Sequence, residues 1–318
     1  MNIGFLMDPL SRLHFEKDTT LAMLKTSQER GFKNVIMLPE EVWLQDGIAW
    51  GRMQSITFYN DAHHPYELGE FIEQPLAELD VLLMRKDPPV TLDYIYLTYL
   101  LEIAESQGLC VINKPSSLRD VNEKLFTAWF PQCCPKTLMT SQEDLIIDFI
   151  ENVEKAVIKP LDSMGGNSVF RLSLEDANHR SIIETVTQHG QRKVMVQQFI
   201  PEISQGDKRI LMIDGEPVPY ALARIPAQND FRGNLAAGAN YEGRELTDRD
   251  RWICEQVGPI LKKKGLLFVG LDIIGDYLTE INVTSPTCLR ELDALFDLDI
   301  ASDFLDLVER QVEPLATT

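Results

Sequence analysis

Three oxygen-bearing side chains, Asp272, Glu280 and Asn282, lie on two apolar, β-branched-rich runs that flank the pair Gly275-Asp276. This pattern is typical of a β-hairpin. Strand alternation places all three on one face if Asp272 lies opposite Glu280, which requires an odd-length loop or a bulge, and we expect an odd loop. Facing carboxylates repel unless a cation lies between them, and an all-oxygen set suits Mg²⁺ or Mn²⁺. The alternative is the polar outer face of an antiparallel sheet.

Lysines beside apolar segments form a second group. Lys159 closes the apolar run AVIK, and a loop containing Gly165 and Gly166 leads into the next strand. Lys124 stands in NEKLFTAWF, which we interpret as the start of an amphipathic helix at Asn122. Lysine is rarely buried unless it is paired, and a phosphate would pair it, while glycine backbone can approach phosphate oxygens closely. For the glycine pair, an ordinary hairpin turn is the alternative.

A strand in VMVQQFI leads into an extended connector. Its end, Gln198, Phe199 and Ile200, can offer backbone groups to an adenine edge, and Asp207 can then reach ribose hydroxyls. Residues 225–244 are rich in Gly, Ala and Asn without a hydrophobic period, which predicts a long mobile loop. We expect residues 225–241 to act as a lid over bound substrates.

Arginines mark the remaining candidate sites. Arg209 and Arg224 begin and end a pair of predicted strands that run towards the hairpin. Arg85 follows the third predicted strand, where it is a candidate fork for a substrate carboxylate. Ordinary solvated loop charge is the alternative for Arg85.

Composition limits the class of protein. The chain has 318 residues, 44% of them hydrophobic, and a net charge of −19, which opposes a broad nucleic-acid or anionic-membrane surface. No apolar run reaches the length of a membrane span, and the amino-terminal residues do not have the pattern of a signal peptide. Five cysteines without metal-binding spacing fit a reducing compartment, which we interpret as the cytoplasm.

Strands and helices alternate over the first 120 residues, which predicts a mostly parallel, Rossmann-like sheet. The predicted strands begin with residues 2–7, and Asp18 is the predicted N-cap of a helix over residues 19–30. Residues 45–74 are the least regular part of this region, and we expect loops or an edge hairpin there. A domain boundary is predicted near residue 122.

The order and spacing of Lys124, Lys159, the glycine loop, the connector and the hairpin triad resemble the ATP-grasp superfamily. Segments spread over nearly the whole chain resemble bacterial glutathione synthetases: MDPLSRLHFEKDTT, LMRKDPP, NKPSSLRDVNEKLFTAWF, KPLDSMGG, GDKR, RGNLAAG and FVGLDIIGDYLTEINVTSPT. The resemblance implies an α/β chain with an ATP-grasp fold at about 124–310, preceded by the Rossmann-like domain. The implied domains are an amino-terminal substrate domain at 1–122, a central ATP-grasp domain at 123–200 and a carboxyl-terminal domain with the metal hairpin at 201–318.

The resemblance also implies an activity, the ATP-dependent joining of γ-glutamylcysteine to glycine through an acyl phosphate, with Mg²⁺ or Mn²⁺ on the hairpin. Lys124 and Lys159 would hold the nucleotide. The family further implies a homotetramer. Its implied site residues fall into two groups, with catalytic roles for Arg209, Arg224, Arg232 and Asn234 and substrate contacts at Arg85, Ser285 and Arg290.

Two other functions compete with this one. A related carboxylate-amine ligase, for example one that makes D-alanyl-D-alanine, would share the nucleotide residues and differ around Arg85, Ser285 and Arg290. A non-catalytic ATP-binding protein would need neither Glu280 with Asn282 nor the long loop.

Overall fold

The computed structural model describes residues 1–61, 63–227, 232, 233 and 239–312. The strands of this part of the chain form three sheets, of seven, four and five strands. The sheets follow one another along the chain and fall within the ranges 1–122, 123–200 and 201–318. The domain boundaries themselves stay a prediction.

The first sheet contains strands β1 to β7: Asn2–Met7, Lys33–Met37, Val42–Gln45, Ile48–Phe58, Tyr66–Pro75, Val81–Arg85 and Cys110–Ile112. Its order is β3-β4-β2-β1-β6-β7, with β5 paired to β4. β1 runs parallel to β2 and β6, and β6 runs parallel to β7, which confirms a parallel part of the sheet, whereas β4 pairs antiparallel with β2, β3 and β5. Its three helices are α1 (Thr19–Glu29), α2 (Leu92–Ser106) and α3 (Pro115–Asp120). Asp18 caps α1 as predicted, since its carboxylate accepts a hydrogen bond of 2.9 Å from the backbone N–H of Leu21.

Residues 48–75 form the long antiparallel hairpin β4-β5. The edge hairpin that we predicted as one of two possibilities is confirmed, whereas the expectation that this stretch is the least regular part is wrong. β5 is hard to recognise in the sequence because it is mostly exposed and lacks a continuous apolar side, whereas β4 has a regular buried face.

The second sheet contains β8 (Thr137–Thr140), β9 (Ala156–Pro160), β10 (Phe170–Leu172) and β11 (Val194–Gln198). It is antiparallel with the order β10-β9-β11-β8, and helices α4 (Glu143–Val153) and α5 (His179–Val186) pack on it. The segment that leads into this sheet holds a 3₁₀ turn at Leu125–Trp129. The predicted amphipathic helix is therefore wrong. The side chain of Asn122 accepts hydrogen bonds from the backbone N–H groups of Lys124 and Leu125, which favours the tight turn.

The third sheet contains β12 (Asp207–Ile213), β13 (Glu216–Ile225), β14 (Asn240–Glu245), β15 (Phe268–Ile274) and β16 (Tyr277–Asn282). It is antiparallel, with the order β14-β13-β12-β15-β16. Helices α6 (Asp248–Lys263), α7 (Leu289–Phe296) and α8 (Ile300–Val312) complete this region. Alternation along β12 sends Lys208 towards α6, where it pairs with Asp250, and sends Asp207 and Arg209 to the opposite face.

None of the helices in the described parts of the chain is long and apolar enough to cross a membrane.

Candidate active site

The hairpin β15-β16 brings the predicted metal ligands onto one face. Asp272 lies opposite Glu280, and Gly270 lies opposite Asn282. The loop has two residues, Gly275 and Asp276, so the expected odd loop is wrong. A bulge next to Asp272 restores the required register, because Thr279 is the extra residue on β16. Its hydroxyl donates a hydrogen bond of 3.1 Å to the carbonyl of Asp272.

Asp272 is the centre of a buried ion-pair network. Arg209 contacts both of its carboxylate oxygens, with Nε at 2.5 Å from Oδ1 and Nη2 at 2.9 Å from Oδ2, and Arg224 Nη2 lies 3.0 Å from Oδ2. Burial opposes ionisation of Asp272, but these two guanidinium groups lower its pKa well below the ordinary value. The amide of Asn282 donates to Asp272 and to the carbonyl of Gly270, which leaves its amide oxygen as the atom that it can offer a cation.

Glu280 is the counterion of Lys124 and Lys159, the two lysines that are predicted to hold the nucleotide. Its Oε1 lies 3.5 Å from Lys159 Nζ and 3.7 Å from Lys124 Nζ, and the two lysines are only 6% and 5% exposed. Burial lowers the pKa of Lys159. Burial also works against ionisation of Glu280, but the two ammonium groups lower its pKa. The buried lysines are thus held in place by carboxylate and by the carbonyls of Ser163 and Thr279.

Asp207 lies beside this network with one oxygen unsatisfied. Its Oδ2 pairs with Arg224 Nη2 at 2.5 Å, while its buried Oδ1 has no hydrogen-bond partner among the described residues. Burial raises the pKa of Asp207 to about 6, against the opposing effect of Arg224. An unpartnered buried acceptor on a cavity wall suits a ligand that carries hydroxyl donors.

A cavity between the second and third sheets unites these groups. It holds about 800 Å³ of space free of protein atoms, its open mouth included. The predicted site residues on its walls are Lys124, Lys159, Gly165, Gly166, Gln198, Phe199, Ile200, Asp207, Arg232, Asp272 and Glu280. Sequence reasoning missed the apolar wall of Val157, Val169, Ile203 and Ile274, which a flat purine ring can pack against. Because side chains alternate along β9, Val157 and Lys159 point to the same face, so the sequence pattern could have placed Val157 on this wall.

Only part of the predicted lid lies in the described residues. Arg232 Nη1 donates a hydrogen bond of 3.3 Å to the carbonyl of Gly166, so this loop contacts the glycine loop across the cavity. Gly233 packs so closely on Asp207 that an added Cβ would lie 2.6 Å from the Asp207 Cβ and 3.0 Å from the carbonyl oxygen of Arg224. Asn234, and with it residues 228–231 and 234–238, lies outside the described residues.

The three predicted substrate residues surround the chain that leaves β16. Arg85 is 5% exposed and donates to the hydroxyl of Thr20 at 3.1 Å and to the carbonyl of Pro286 at 3.0 Å. Burial raises the pKa of Asp87, and a hydrogen bond between the Ser285 hydroxyl and the Asp87 carboxylate has the opposite effect. Arg290 Nη1 donates to the carbonyl of Phe15 at 2.9 Å. In the described parts of the chain, these residues join the third sheet to the first and stand apart from the walls of this cavity.

Sequence reasoning gave no role to two residues that hold the hairpin. Asn113 donates to the carbonyls of Phe268 and Val283 and accepts from the backbone N–H groups of Leu267 and Phe268. Glu123 accepts three hydrogen bonds at the end of β16. Their partners lie more than 150 positions away in the chain, so no local pattern could have found them.

Comparison with known proteins identifies relatives along nearly the whole chain. A family model described as "Prokaryotic glutathione synthetase, N-terminal domain" matches residues 1–119, and one described as "Prokaryotic glutathione synthetase, ATP-grasp domain" matches residues 123–297. A glutathione synthetase of Coxiella burnetii is 57% identical over 97% of this chain and 96% of its own. One of Pseudomonas aeruginosa is 52% identical over 98% of both chains.

Solved structures give the same fold. A D-cycloserine synthetase, DcsG, matches with a TM-score of 0.65 at 13% identity, covering 98% of this chain and 99% of its own. The ATP-grasp ligase PsnB, solved with a minimal precursor, Mg and ADP, matches with a TM-score of 0.63 at 15% identity over 98% of both chains. At these identities the likeness concerns the fold, and the predicted ATP-grasp fold is confirmed.

Proposed function

We infer that this chain, which belongs to the prokaryotic glutathione synthetase family, is an ATP-dependent carboxylate-amine ligase that joins γ-glutamylcysteine to glycine. The observation that carries the assignment in the structure is the pairing of buried Lys124 and Lys159 with Glu280, directly beside Asp272 in one cavity. Buried ammonium groups next to an all-oxygen strand face suit a metal-bound polyphosphate.

The hairpin face fits a divalent cation. Asp272 and Glu280 are both held in the ionised form and lie opposite each other, and Asn282 adds an amide oxygen. We propose Mg²⁺ at these residues, with Mn²⁺ as a substitute, since both prefer oxygen ligands. The bound ion would neutralise phosphate charge during transfer.

The reaction on this geometry has two displacements. An oxygen of the dipeptide carboxylate forms a bond to the γ-phosphorus of ATP, and ADP leaves. The amine of glycine then attacks the acyl carbon, inorganic phosphate departs, and the amine loses its proton. Lys124 and Lys159 would hold the nucleotide, and Arg209 and Arg224 would stabilise the equatorial oxygens of the transferred group.

Arg85, Ser285 and Arg290 would bind the dipeptide, and Arg232 and Asn234 would close over the acyl phosphate. Support for the first group comes from its position at the exit of β16, immediately after Asn282. Support for closure comes from the Arg232 contact with the glycine loop. Excluding water protects the acyl phosphate from hydrolysis until glycine attacks.

We also propose a cytoplasmic location and a homotetramer. The five cysteines are all free, and the three fully buried ones are Cys133, Cys254 and Cys288, which fits a reducing compartment. The tetramer rests on family resemblance. The net charge of −19 argues against nucleic acid as a partner.

A coupled assay of ADP release tests the function. Wild-type chain should release ADP at full rate only with Mg²⁺, ATP, γ-glutamylcysteine and glycine together, and omission of any one should abolish most of the signal. The matched comparison replaces both acceptors with D-alanine. Equal turnover with two D-alanines would refute the assignment in favour of a related ligase, and nucleotide binding without substrate-dependent ADP release would indicate a non-catalytic protein.

A further inference from the structure

The strand that carries two of the three proposed metal ligands is an edge strand. β16 holds Glu280 and Asn282 and pairs only with β15 in the described sheet, so its outer backbone groups need other partners. Glu123 supplies them. Its carbonyl accepts from the Ile281 N–H at 2.8 Å, and its carboxylate Oε1 accepts from the Val283 N–H at 2.8 Å.

Glu123 therefore acts like one residue of a neighbouring strand. Ile281 and Val283 are two positions apart, which is the spacing of successive N–H groups on one side of a strand. The same Oε1 also accepts from the N–H of Thr284 at 3.0 Å and from its hydroxyl at 2.9 Å. Four contacts through one residue fix the strand on both sides of Asn282.

The next residue in the chain is a nucleotide lysine. Lys124 Nζ lies 3.7 Å from Glu280 Oε1 and donates to the carbonyl of Ser163 at 2.5 Å. Because Glu123 and Lys124 are adjacent, the hydrogen bonds of Glu123 to the outer edge of β16 also set the distance from Lys124 to the proposed ligands Glu280 and Asn282. A shift of β16 would move Glu280 and Asn282 against Lys124 and against Asp272.

We propose that Glu123 is a positioning residue for the metal-nucleotide site, which it serves by holding the ligand strand β16 in register with Lys124. It contacts neither metal nor nucleotide in this role. The inference rests on the proposed function, because it requires that a cation binds Glu280 and Asn282. A residue with a merely structural role would change stability and leave metal binding per folded molecule unaltered.

The test measures binding of Mn²⁺ in the presence of ADP by electron paramagnetic resonance, beside thermal unfolding and the Mg²⁺ dependence of ADP release. Glu123→Ala should weaken Mn²⁺ binding by roughly 10- to 100-fold, the range found when the partner that orients a metal ligand is lost. Glu123→Gln keeps an acceptor oxygen for the same donors and should show a clearly smaller shift.

Asp250→Asn is the matched control. Asp250 is also a buried carboxylate that accepts from backbone N–H, and it pairs with Lys208 on the far side of β12. This variant should lose stability with unchanged Mn²⁺ binding. If Glu123→Ala does not fold, Glu123→Asp takes its place. The shorter side chain moves the acceptor oxygen away from the β16 donors, so Glu123→Asp should weaken Mn²⁺ binding more than Glu123→Gln does.

Two results have distinct meanings. The positioning role would be overturned if folded Glu123→Ala bound Mn²⁺ as tightly as wild type. It would also be overturned if Glu123→Gln lost as much Mn²⁺ affinity as Glu123→Ala or Glu123→Asp. Wild-type chain that neither binds Mn²⁺ with ADP nor needs a divalent cation would instead overturn the proposed metal site.

Discussion

The proposed metal site implies that Glu280 has opposite effects on nucleotide binding with and without metal, and Glu280→Gln should separate them. In the structure its carboxylate is the counterion of Lys124 and Lys159, at 3.7 and 3.5 Å. In the proposed site, a metal-free nucleotide would place phosphate beside the same lysines and would meet the negative charge of Glu280. A metal-bound nucleotide would meet Glu280 as a ligand of its cation.

The size of the repulsion follows from Coulomb's law. Two unit charges about 5 Å apart interact with about 3 kcal/mol at an effective dielectric constant of about 20. The lysines screen part of this repulsion, and we expect about 1.4 kcal/mol to remain, which is about a tenfold change in affinity. Glu280→Gln should therefore bind ADP about tenfold more tightly than wild type in EDTA. With Mg²⁺ the order should reverse, and turnover should fall by roughly 10²-fold or more.

Calorimetric titration of ADP in EDTA and in saturating Mg²⁺ measures both affinities, and the ADP-release assay measures turnover. Asp250→Asn removes a carboxylate from a different buried lysine, so its two affinities should stay at wild-type values. An affinity change of the same sign in both buffers would refute the argument, because Glu280 would then act on folding or cavity shape instead of on charge.

Two further substitutions test the remaining parts of the site. Arg209→Lys should lower turnover by roughly 10²-fold with a KM for ATP within a few-fold of wild type, since lysine cannot reproduce the two-point contact with Asp272. Near-normal steady-state turnover would show that the two-point contact is dispensable. Gly233→Ala should push the loop away from Asp207 and so raise the ratio of ADP to tripeptide formed, as quantified by chromatography of both products. A wild-type ratio in that variant would argue against a sealing role for this loop segment.

Local signals in the sequence predicted local structure well. The cap of α1 by Asp18 depends on a residue only three positions away, Leu21. The pairing of Asp272 with Glu280 could also be predicted, since the three side chains share one face of the hairpin only in that register. The sequence could not show whether the extra residue lies in the loop or in a strand, because both give the same spacing.

Contacts between distant segments explain what sequence reasoning missed. The mostly exposed strand β5 is stabilised by pairing with β4, which itself pairs with β2 and β3, and this pairing outweighs the weak apolar pattern of β5. The four hydrogen bonds of Asn113 arise only when the first and third sheets come together, and those of Glu123 arise only when the segment before the second sheet packs against β16. Of the candidate site, the chemical types could be predicted, whereas the residues that orient them could not.

The charges around the cavity are compatible with the proposed binding of a polyphosphate by so acidic a chain. Among the described residues on its walls, three cations face three anions: Lys124, Lys159 and Arg232 against Asp207, Asp272 and Glu280. Arg209 and Arg224 pair with the aspartates and add two further positive charges, so the site carries a local excess of positive charge although the chain carries −19.

Each cation already has a carboxylate or carbonyl partner before nucleotide arrives. In the proposed site, binding of a metal-nucleotide complex would then be an exchange of partners, in which phosphate replaces carboxylate on the lysines and the cation replaces ammonium on Glu280. Such an exchange leaves no buried charge unpaired in either state, which avoids the several kcal/mol that an uncompensated buried ion costs.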